Sequence, residues 1–289
     1  MKTYILYNSK AGNGDAEKAR KDLAATCTGE VFEEDITKTD AAALVASLSA
    51  EDTVIICGGD GTLNHFANDV YGMEIAPEVL YLSLGTGNDF RNDVGAKAGE
   101  PISVKKYLAD LPVVEVRDKK CRFINGIGYG IDGYCCEMGD KAKAEHPDKP
   151  VNYTAIAIKG LLFHYKPANA TVTVDGKKYT YKKAWIAATM KGRFYGGGMK
   201  VAPAQDRLAE DGNVTLVIMY GKGKLKTLMV FPSIFKGEHI NHTEMVAVHT
   251  GKEITVAFDR PSALQIDGET VLNVSEYRVT AGAAVLAKV

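Results

Sequence analysis

The apolar run Val54-Ile55-Ile56 stops at Cys57-Gly58-Gly59-Asp60-Gly61-Thr62. A β-branched run that ends in glycines and resumes as a helical pattern predicts a buried strand, a tight turn and a helix. The glycines permit positive φ and leave no Cβ between backbone and ligand. Successive N–H groups in such a turn can face an anion and form a nest for phosphate. A carboxylate among them repels phosphate. Asp60 therefore makes sense as the holder of a divalent cation or as a proton acceptor. Phosphate with metal points to phosphoryl transfer.

The same strand-then-loop pattern recurs. Thr3–Tyr7 is a β-rich run that ends in Asn8-Ser9-Lys10-Ala11-Gly12, and Val79–Leu84 ends in Gly85-Thr86-Gly87-Asn88-Asp89. Helical stretches lie between them: Asp15–Ala25, Ala41–Leu48 with Asp40 as its N-cap, and Thr62–Val70. Such alternation predicts βαβ units around a mostly parallel sheet. Ligands bind beyond the carboxyl ends of the strands in such sheets, and all three polar loops fall there.

The character changes after about Val116. Strand-like runs dominate (Thr171–Val174, Ala184–Thr189, Val214–Tyr220, Ile254–Phe258, Tyr277–Thr280), with turn dipeptides Asn125-Gly126, Asp175-Gly176, Asp211-Gly212 and Asp267-Gly268. This pattern predicts an antiparallel sandwich or barrel, interrupted by helices at Val151–His164 and Leu225–Phe235. The simplest organisation is two domains with a cleft between them, divided at residues 118/119.

Composition narrows the function. The chain has 289 residues, 46% hydrophobic and 25% charged, the profile of a soluble globular protein. A net charge of −1 gives no sign of nucleic-acid binding. No apolar run approaches a membrane span, and Met1–Tyr7 does not read as a signal peptide. Cys27, Cys57, Cys121, Cys135 and Cys136 have no zinc-like spacing and read as reduced cytosolic thiols. The histidines lack catalytic or metal spacing; His65 reads as a packing residue and Trp185 as core. Lys10, Lys191, Arg193 and Lys200 are candidate phosphate contacts that read more simply as surface charges.

At this point the residues resemble a known family. Gly58-Gly59-Asp60-Gly61-Thr62 is similar to a signature shared by diacylglycerol, sphingosine and ceramide kinases, NAD kinases and 6-phosphofructokinases. Gly85-Thr86-Gly87-Asn88-Asp89-Phe90 more closely resembles the diacylglycerol kinase catalytic-domain family. So do Asn125-Gly126-Ile127-Gly128-Tyr129-Gly130-Ile131-Asp132 and Tyr195-Gly196-Gly197-Gly198-Met199. Ala202-Pro203-Ala204, Asp211-Gly212 and Asp267-Gly268-Glu269 complete the pattern in order. The first loop departs from the family's usual Asn-Pro-x-Ser-Gly, with Ser9 in place of Pro and Ala11 in place of Ser.

The resemblance implies a phosphofructokinase-like α/β nucleotide domain (1–118) and a β-rich lipid domain (119–289) whose last residues pack back on the first. It implies ATP and Mg²⁺ as cofactors. Asn8, Gly58, Gly59, Asp60, Gly61, Thr62, Asn64, Thr86, Asn88 and Asp89 would contact nucleotide. Asp60, Asp89 and Asp132 would hold the catalytic Mg²⁺. Glu269 would deprotonate the lipid hydroxyl, with Asp267 as alternative base or as its orienter. Asp211, with the carbonyls of Leu208 and Asn213, resembles a structural Mg²⁺ site, although the spacing from Pro203 is longer than usual. Diacylglycerol is the favoured acceptor; an NAD kinase-like enzyme and a non-catalytic nucleotide-binding regulator are the competing readings. A cytoplasmic enzyme of this kind visits the inner face of the membrane transiently, and a homodimer is compatible with it. The segments Lys159–Lys166 and Lys222–Phe231 are apolar with flanking lysines and suit an interfacial element, or equally helices packed on the sandwich.

Overall fold

The computed structural model describes residues 1–9, 14–85, 87–146, 149 and 151–282, with backbone alone at 14–16. It separates into two compact units on either side of Leu111 and Pro112. The expected packing of the last residues on the first domain lies outside the described residues.

The first unit runs β1 (Lys2–Tyr7), α1 (Gly14–Thr26), β2 (Glu30–Asp35), α2 (Ala41–Ser47), β3 (Thr53–Gly58), α3 (Asp60–Asp69), β4 (Glu78–Ser83), α4 (Asp89–Val94), β5 (Ile102–Ser103) and α5 (Lys105–Leu108). Its sheet has the order β2-β1-β3-β4-β5, parallel except for the edge strand β5. The central strand β3 is covered on both faces and reads as a continuous apolar run, with Val54, Ile55, Ile56 and Cys57 all buried, whereas the edge strand β2 is largely exposed. Asp40 caps α2 as expected, its carboxylate accepting from Ala43 N at 2.9 Å. Helix α3 begins at Asp60 rather than Thr62, which places the acidic residue inside the first turn. His65 is exposed on α3, not packed.

The second unit runs β6 (Val113–Val116), β7 (Lys119–Arg122), β8 (Gly126–Gly130), α6 (Ile131–Glu145), α7 (Tyr153–Lys159), β9 (Ala168–Val174), β10 (Lys177–Ala184), β11 (Ile186–Met190), β12 (Phe194–Tyr195), β13 (Met199–Lys200), β14 (Val214–Met219), α8 (Lys224–Val230), β15 (Val246–Gly251), β16 (Glu253–Ile266) and β17 (Glu269–Thr280). The main sheet is antiparallel, in the order β15-β14-β11-β8-β16-β17-β6-β7, with β9 joining β16 to β10. The long strand β16 makes the sandwich. Its first half pairs with β9 and its second with β8, and the register shifts between Ala257 and Ser262 where it bends.

Strand period explains the two cores of this unit. Ala187, Leu216 and Ile218 point into the sandwich with Ile127, Tyr129 and Tyr277. Their neighbours Ile186, Ala188, Val217 and Met219 point the other way, under the helices with Trp185. Each large apolar side chain so buried contributes about 1.5–3 kcal/mol relative to exposure.

Helix α6 is absent from the sequence reading because Gly133 and Gly139 interrupt its pattern. Gly133 is there for contact: a Cβ would lie 2.0 Å from the Ala263 carbonyl oxygen on β16. The expected helix at Val151–His164 is α7 followed by a π turn at Gly160–His164. The expected helix at Leu225–Phe235 is α8 followed by a 3₁₀ turn, Phe231–Lys236, with Pro232 near its start. Asn125-Gly126 is not a turn, since Gly126 opens the fully buried strand β8. All five cysteines are free; burial pushes the Cys135 thiol up to about 12, so it stays protonated.

Candidate active site

In the first unit the glycine loops are built against each other. A Cβ on Gly85 would stand 2.7 Å from the Gly59 Cα, so the turns after β3 and β4 meet this closely because residue 85 is glycine. Asp60 ties them. Its Oδ2 accepts from the amides of Asp89 at 2.7 Å and Phe90 at 3.4 Å, and its Oδ1 from the Tyr81 hydroxyl at 3.2 Å. Burial and the Asp60 charge hold the Tyr81 phenol protonated as that donor. Asn88 enters α4 at φ 50° and receives the Ser83 hydroxyl on Oδ1 at 2.5 Å. Asp89 is buried in the first turn of that helix.

The third loop joins through Asn8, whose Nδ2 donates to Thr62 Oγ1 at 3.4 Å. Thr62 folds over Gly58, where a Cβ would be 2.5 Å from its hydroxyl. Asn64, one turn into α3, accepts from Asn68 Nδ2 on its carbonyl and its Oδ1. Ser9 donates through amide and hydroxyl to Asp35, the hydroxyl at 2.6 Å, and these bonds hold the Asp35 carboxyl low. A proline at this place would supply neither donor. Gly59 is the N-cap of α3 and offers no side-chain acceptor to its first amides. A helix start of this kind suits an anion. Thr86 and Lys10 lie outside the described residues.

In the second unit the carboxylates divide sharply. Asp267, at φ 44° in the turn between β16 and β17, receives the amides of Ile124 at 2.5 Å and of Asn125 and Gly126 at 2.9 Å. Three donors on one carboxylate leave it poorly suited to take a proton. Arg207, buried, grips the same segment through the Ile124 carbonyl at 2.8 Å and Asn125 Oδ1 at 3.1 Å. Glu269, two residues on, is exposed, and its side chain makes no hydrogen bond or ion pair among the described residues.

The turn before Glu269 is braced from below. Gln265 accepts the Gly268 amide on Oε1 at 2.7 Å and donates from Nε2 to Asp132 Oδ2 at 3.0 Å. Asp132 sits in the first turn of α6 under Gly128, where a Cβ would collide with its carboxylate. Burial raises its carboxyl to about 6, against the hydrogen bond from Gln265 that pulls it down. Lys191, expected at the surface, is buried.

Residues 2–116 match the diacylglycerol kinase catalytic domain, and residues 125–285 match the YegS C-terminal NAD kinase beta sandwich-like domain. The chain belongs to the diacylglycerol kinase catalytic-domain family. It is a lipid kinase. It is 26% identical over 230 residues to a Mycobacterium tuberculosis protein named diacylglycerol kinase, covering 77% of this chain and 72% of that one. It is 29% identical over 270 residues to an Enterobacter protein named Probable lipid kinase YegS-like, covering 85% of each. A Bacillus anthracis diacylglycerol kinase crystal structure shares the fold, at TM-score 0.60 and 19% identity over 97% of this chain and 94% of that one.

A kinase of this family uses ATP, and its metal can be tested against the residues present. Among the described residues no three His, Cys, Asp or Glu gather into a metal cage. Asp60 and Asp89 lie in the first unit, and Asp132 accepts from Gln265 in the second. Asp60 fits a hydrated Mg²⁺ that arrives on phosphate, because such an ion keeps its waters and needs only one or two carboxylates. The Asp211 loop, where the resemblance implies a structural metal, is closed by local hydrogen bonds. Asp211 accepts from the Asn213 amide at 3.1 Å and side chain at 2.8 Å, and the Asn213 carbonyl accepts from Gln205. Leu208 is held through its amide by Asp206.

Sequence reasoning missed Tyr81, Ser83, Arg207 and Gln265 in this lipid kinase. Gln265 carried a signal: a lone amide in the apolar strand run Ala263–Ile266 must find polar partners when buried.

Proposed function

We propose that this lipid kinase transfers the γ-phosphoryl group of Mg·ATP to the hydroxyl of diacylglycerol, giving phosphatidic acid and ADP. The observation that carries the reading is the contrast among its carboxylates. Asp60 and Asp267 are occupied by protein donors, whereas the Glu269 side chain has no partner among the described residues and stands on a braced turn.

The roles depend on what each group has left to give. The amides at the start of α3 hold phosphate oxygens, and Asn8 and Thr62 line the same loop. Asp60 would meet a Mg²⁺ carried by ATP, an ion that would supply neutralisation of the phosphate charge. Glu269 takes the proton of the acceptor hydroxyl as its oxygen bonds to the γ-phosphorus, and the bond to the β–γ bridging oxygen breaks. Asp267, Gln265, Asp132 and Arg207 keep the Glu269 turn in place.

Relatives named diacylglycerol kinase support that acceptor over other lipids. Incubation with γ-labelled ATP and a bacterial lipid extract tests it. Label in phosphatidic acid is expected. Label confined to another lipid refutes the acceptor, and label passing to added NAD refutes the lipid reading.

A further inference from the structure

Two segments distant in sequence form one apolar ridge on the second unit. The π turn after α7 packs on α8, and Lys224 Nζ closes the pair by donating to the Leu162 carbonyl at 2.8 Å. Their inner faces are spent, with Ala157, Leu161, Val230 and Ile234 buried around Trp185. Their outer faces are apolar as well. Phe163, Leu225 and Met229 are 71%, 74% and 76% exposed, and Ile158 is 41% exposed. Leu225 and Met229 stand four residues apart, so they share one side of α8.

The charge around this ridge is one-sided. Residues 153–166 and 222–236 contain six lysines and no Asp or Glu, in a chain whose net charge is −1. Glu244, just before β15, pairs with Lys226 at 3.6 Å. Lys159, Lys166 and Lys224 are exposed beside the apolar tips. Protruding Phe, Leu and Met within lysines match the chemistry of an amphipathic element that lies in a bilayer interface.

We propose that this ridge is the surface by which the enzyme docks on an anionic phospholipid bilayer. Phe163, Leu225 and Met229 enter the boundary between headgroups and acyl chains, and the lysines meet lipid phosphates. The inference rests on the lipid-kinase reading, since the acceptor hydroxyl lies at that boundary. No helix among the described residues is long and apolar enough to cross a membrane. A second copy of the chain is a poorer occupant. A two-fold contact through this face would set lysines against lysines.

The test is flotation with vesicles of phosphatidylcholine mixed with phosphatidylglycerol, against pure phosphatidylcholine. The wild type should float with the anionic vesicles and be released by salt. Leu225→Glu with Met229→Glu should lose at least about tenfold in binding, because two side chains no longer enter the apolar layer. Both residues are exposed, so melting should not change. Transfer to a water-soluble short-chain diacylglycerol should be unchanged in the double variant. Met229→Trp adds an exposed indole whose emission should shift to the blue with anionic vesicles. Undiminished flotation of the double variant, or no shift for Met229→Trp, overturns the proposal. So does a wild-type dimer that the double variant splits. If short-chain diacylglycerol is not phosphorylated while binding still depends on the ridge, the acceptor is wrong and the docking surface stands.

Discussion

The second unit contains the same turn twice. Asp175-Gly176 joins β9 to β10 and Asp267-Gly268 joins β16 to β17, each with both residues at positive φ. Each aspartate also ties its turn to a neighbouring segment. Asp175 Oδ1 accepts the amides of Lys252 and Glu253, as Asp267 accepts those of Ile124, Asn125 and Gly126. The turns differ in the next residue along the chain and in the groups packed beneath them. After Gly176 comes Lys177, whose ammonium rests over the Tyr179 ring at 5.3 Å. After Gly268 comes Glu269, and beneath it Gln265 runs to the buried Asp132. Turn chemistry alone makes a hairpin. Under the role proposed for Glu269, the buried amide and carboxyl beneath one of the two make it a platform for the base.

The sharpest way to break this contrast is to remove the two exposed side chains. Glu269→Gln should lower kcat by roughly 10²–10⁴, the range for loss of a general base. Its melting temperature should hold, because the side chain makes no bond among the described residues. Lys177→Gln should leave kcat unchanged. Near-wild-type turnover in a folded Glu269→Gln enzyme ends the assignment of Glu269 as base.

The anchoring aspartates come next. Asp267→Ala leaves three amides without their acceptor in a partly buried place. This should cost roughly 3 kcal/mol, read from the midpoint of urea unfolding. Asp175→Ala frees two amides where water can replace the carboxylate, and should cost under about 1 kcal/mol. Equal losses would show that the two turns are anchored alike.

Much of the first unit is legible in the sequence because its signals are local. Each polar loop comes directly after a strand-like run, and the Asp40 cap lies three residues from the amide it receives. The site in the second unit is legible only at Asp267-Gly268-Glu269. Its supports act across the chain: Gln265 reaches Asp132 over 133 residues, and Arg207 reaches Ile124 over 83. Periodicity and turn rules span about four residues and cannot see such pairings. For the same reason Asn125-Gly126 reads as a turn and is not one. Asn125 is a buried junction that takes the amides of Lys191 and Gly192 on its carbonyl. The sequence places Asp60 by residue type alone, and only the fold shows that its oxygens already hold the next loop.

The carboxyl below the platform should be visible in the pH dependence of stability. Burial keeps Asp132 protonated in the folded protein up to about 6, against an ordinary value of 3.8. Between these values the native state binds the extra proton, so stability falls as pH rises. His239, buried with Nε2 against the Val201 carbonyl, is lowered by burial to about 4 from 6.5. There the unfolded state binds the extra proton, and stability rises with pH. The two slopes oppose each other between about pH 4 and 6. Asp132→Asn removes only the falling one. Relative to wild type, the variant should gain on the order of 2–3 kcal/mol from about pH 4 to about pH 7. Parallel profiles would show that Asp132 ionises normally in the fold.

Gln265→Met carries a smaller expected effect than Glu269→Gln and tests the platform most directly. Methionine keeps the volume but supplies neither the acceptor for Gly268 nor the donor to Asp132. The turn should remain, because Asp267 still holds it by three bonds. What is lost is the constraint on Glu269, so kcat should fall roughly tenfold with KM for ATP unchanged. Removing the donor also leaves Asp132 more strongly protonated, so the falling slope of stability should extend to higher pH. Gln265→Glu offers a rescue with a pH signature. A protonated glutamic acid can donate to Asp132 and accept from Gly268, so activity should recover on the acid side and fade as the pair loses its proton. A Gln265→Met enzyme with wild-type kcat, or a Gln265→Glu enzyme without this pH dependence, would reduce Gln265 to core filling. The two Asp-Gly turns would then differ in Glu269 alone.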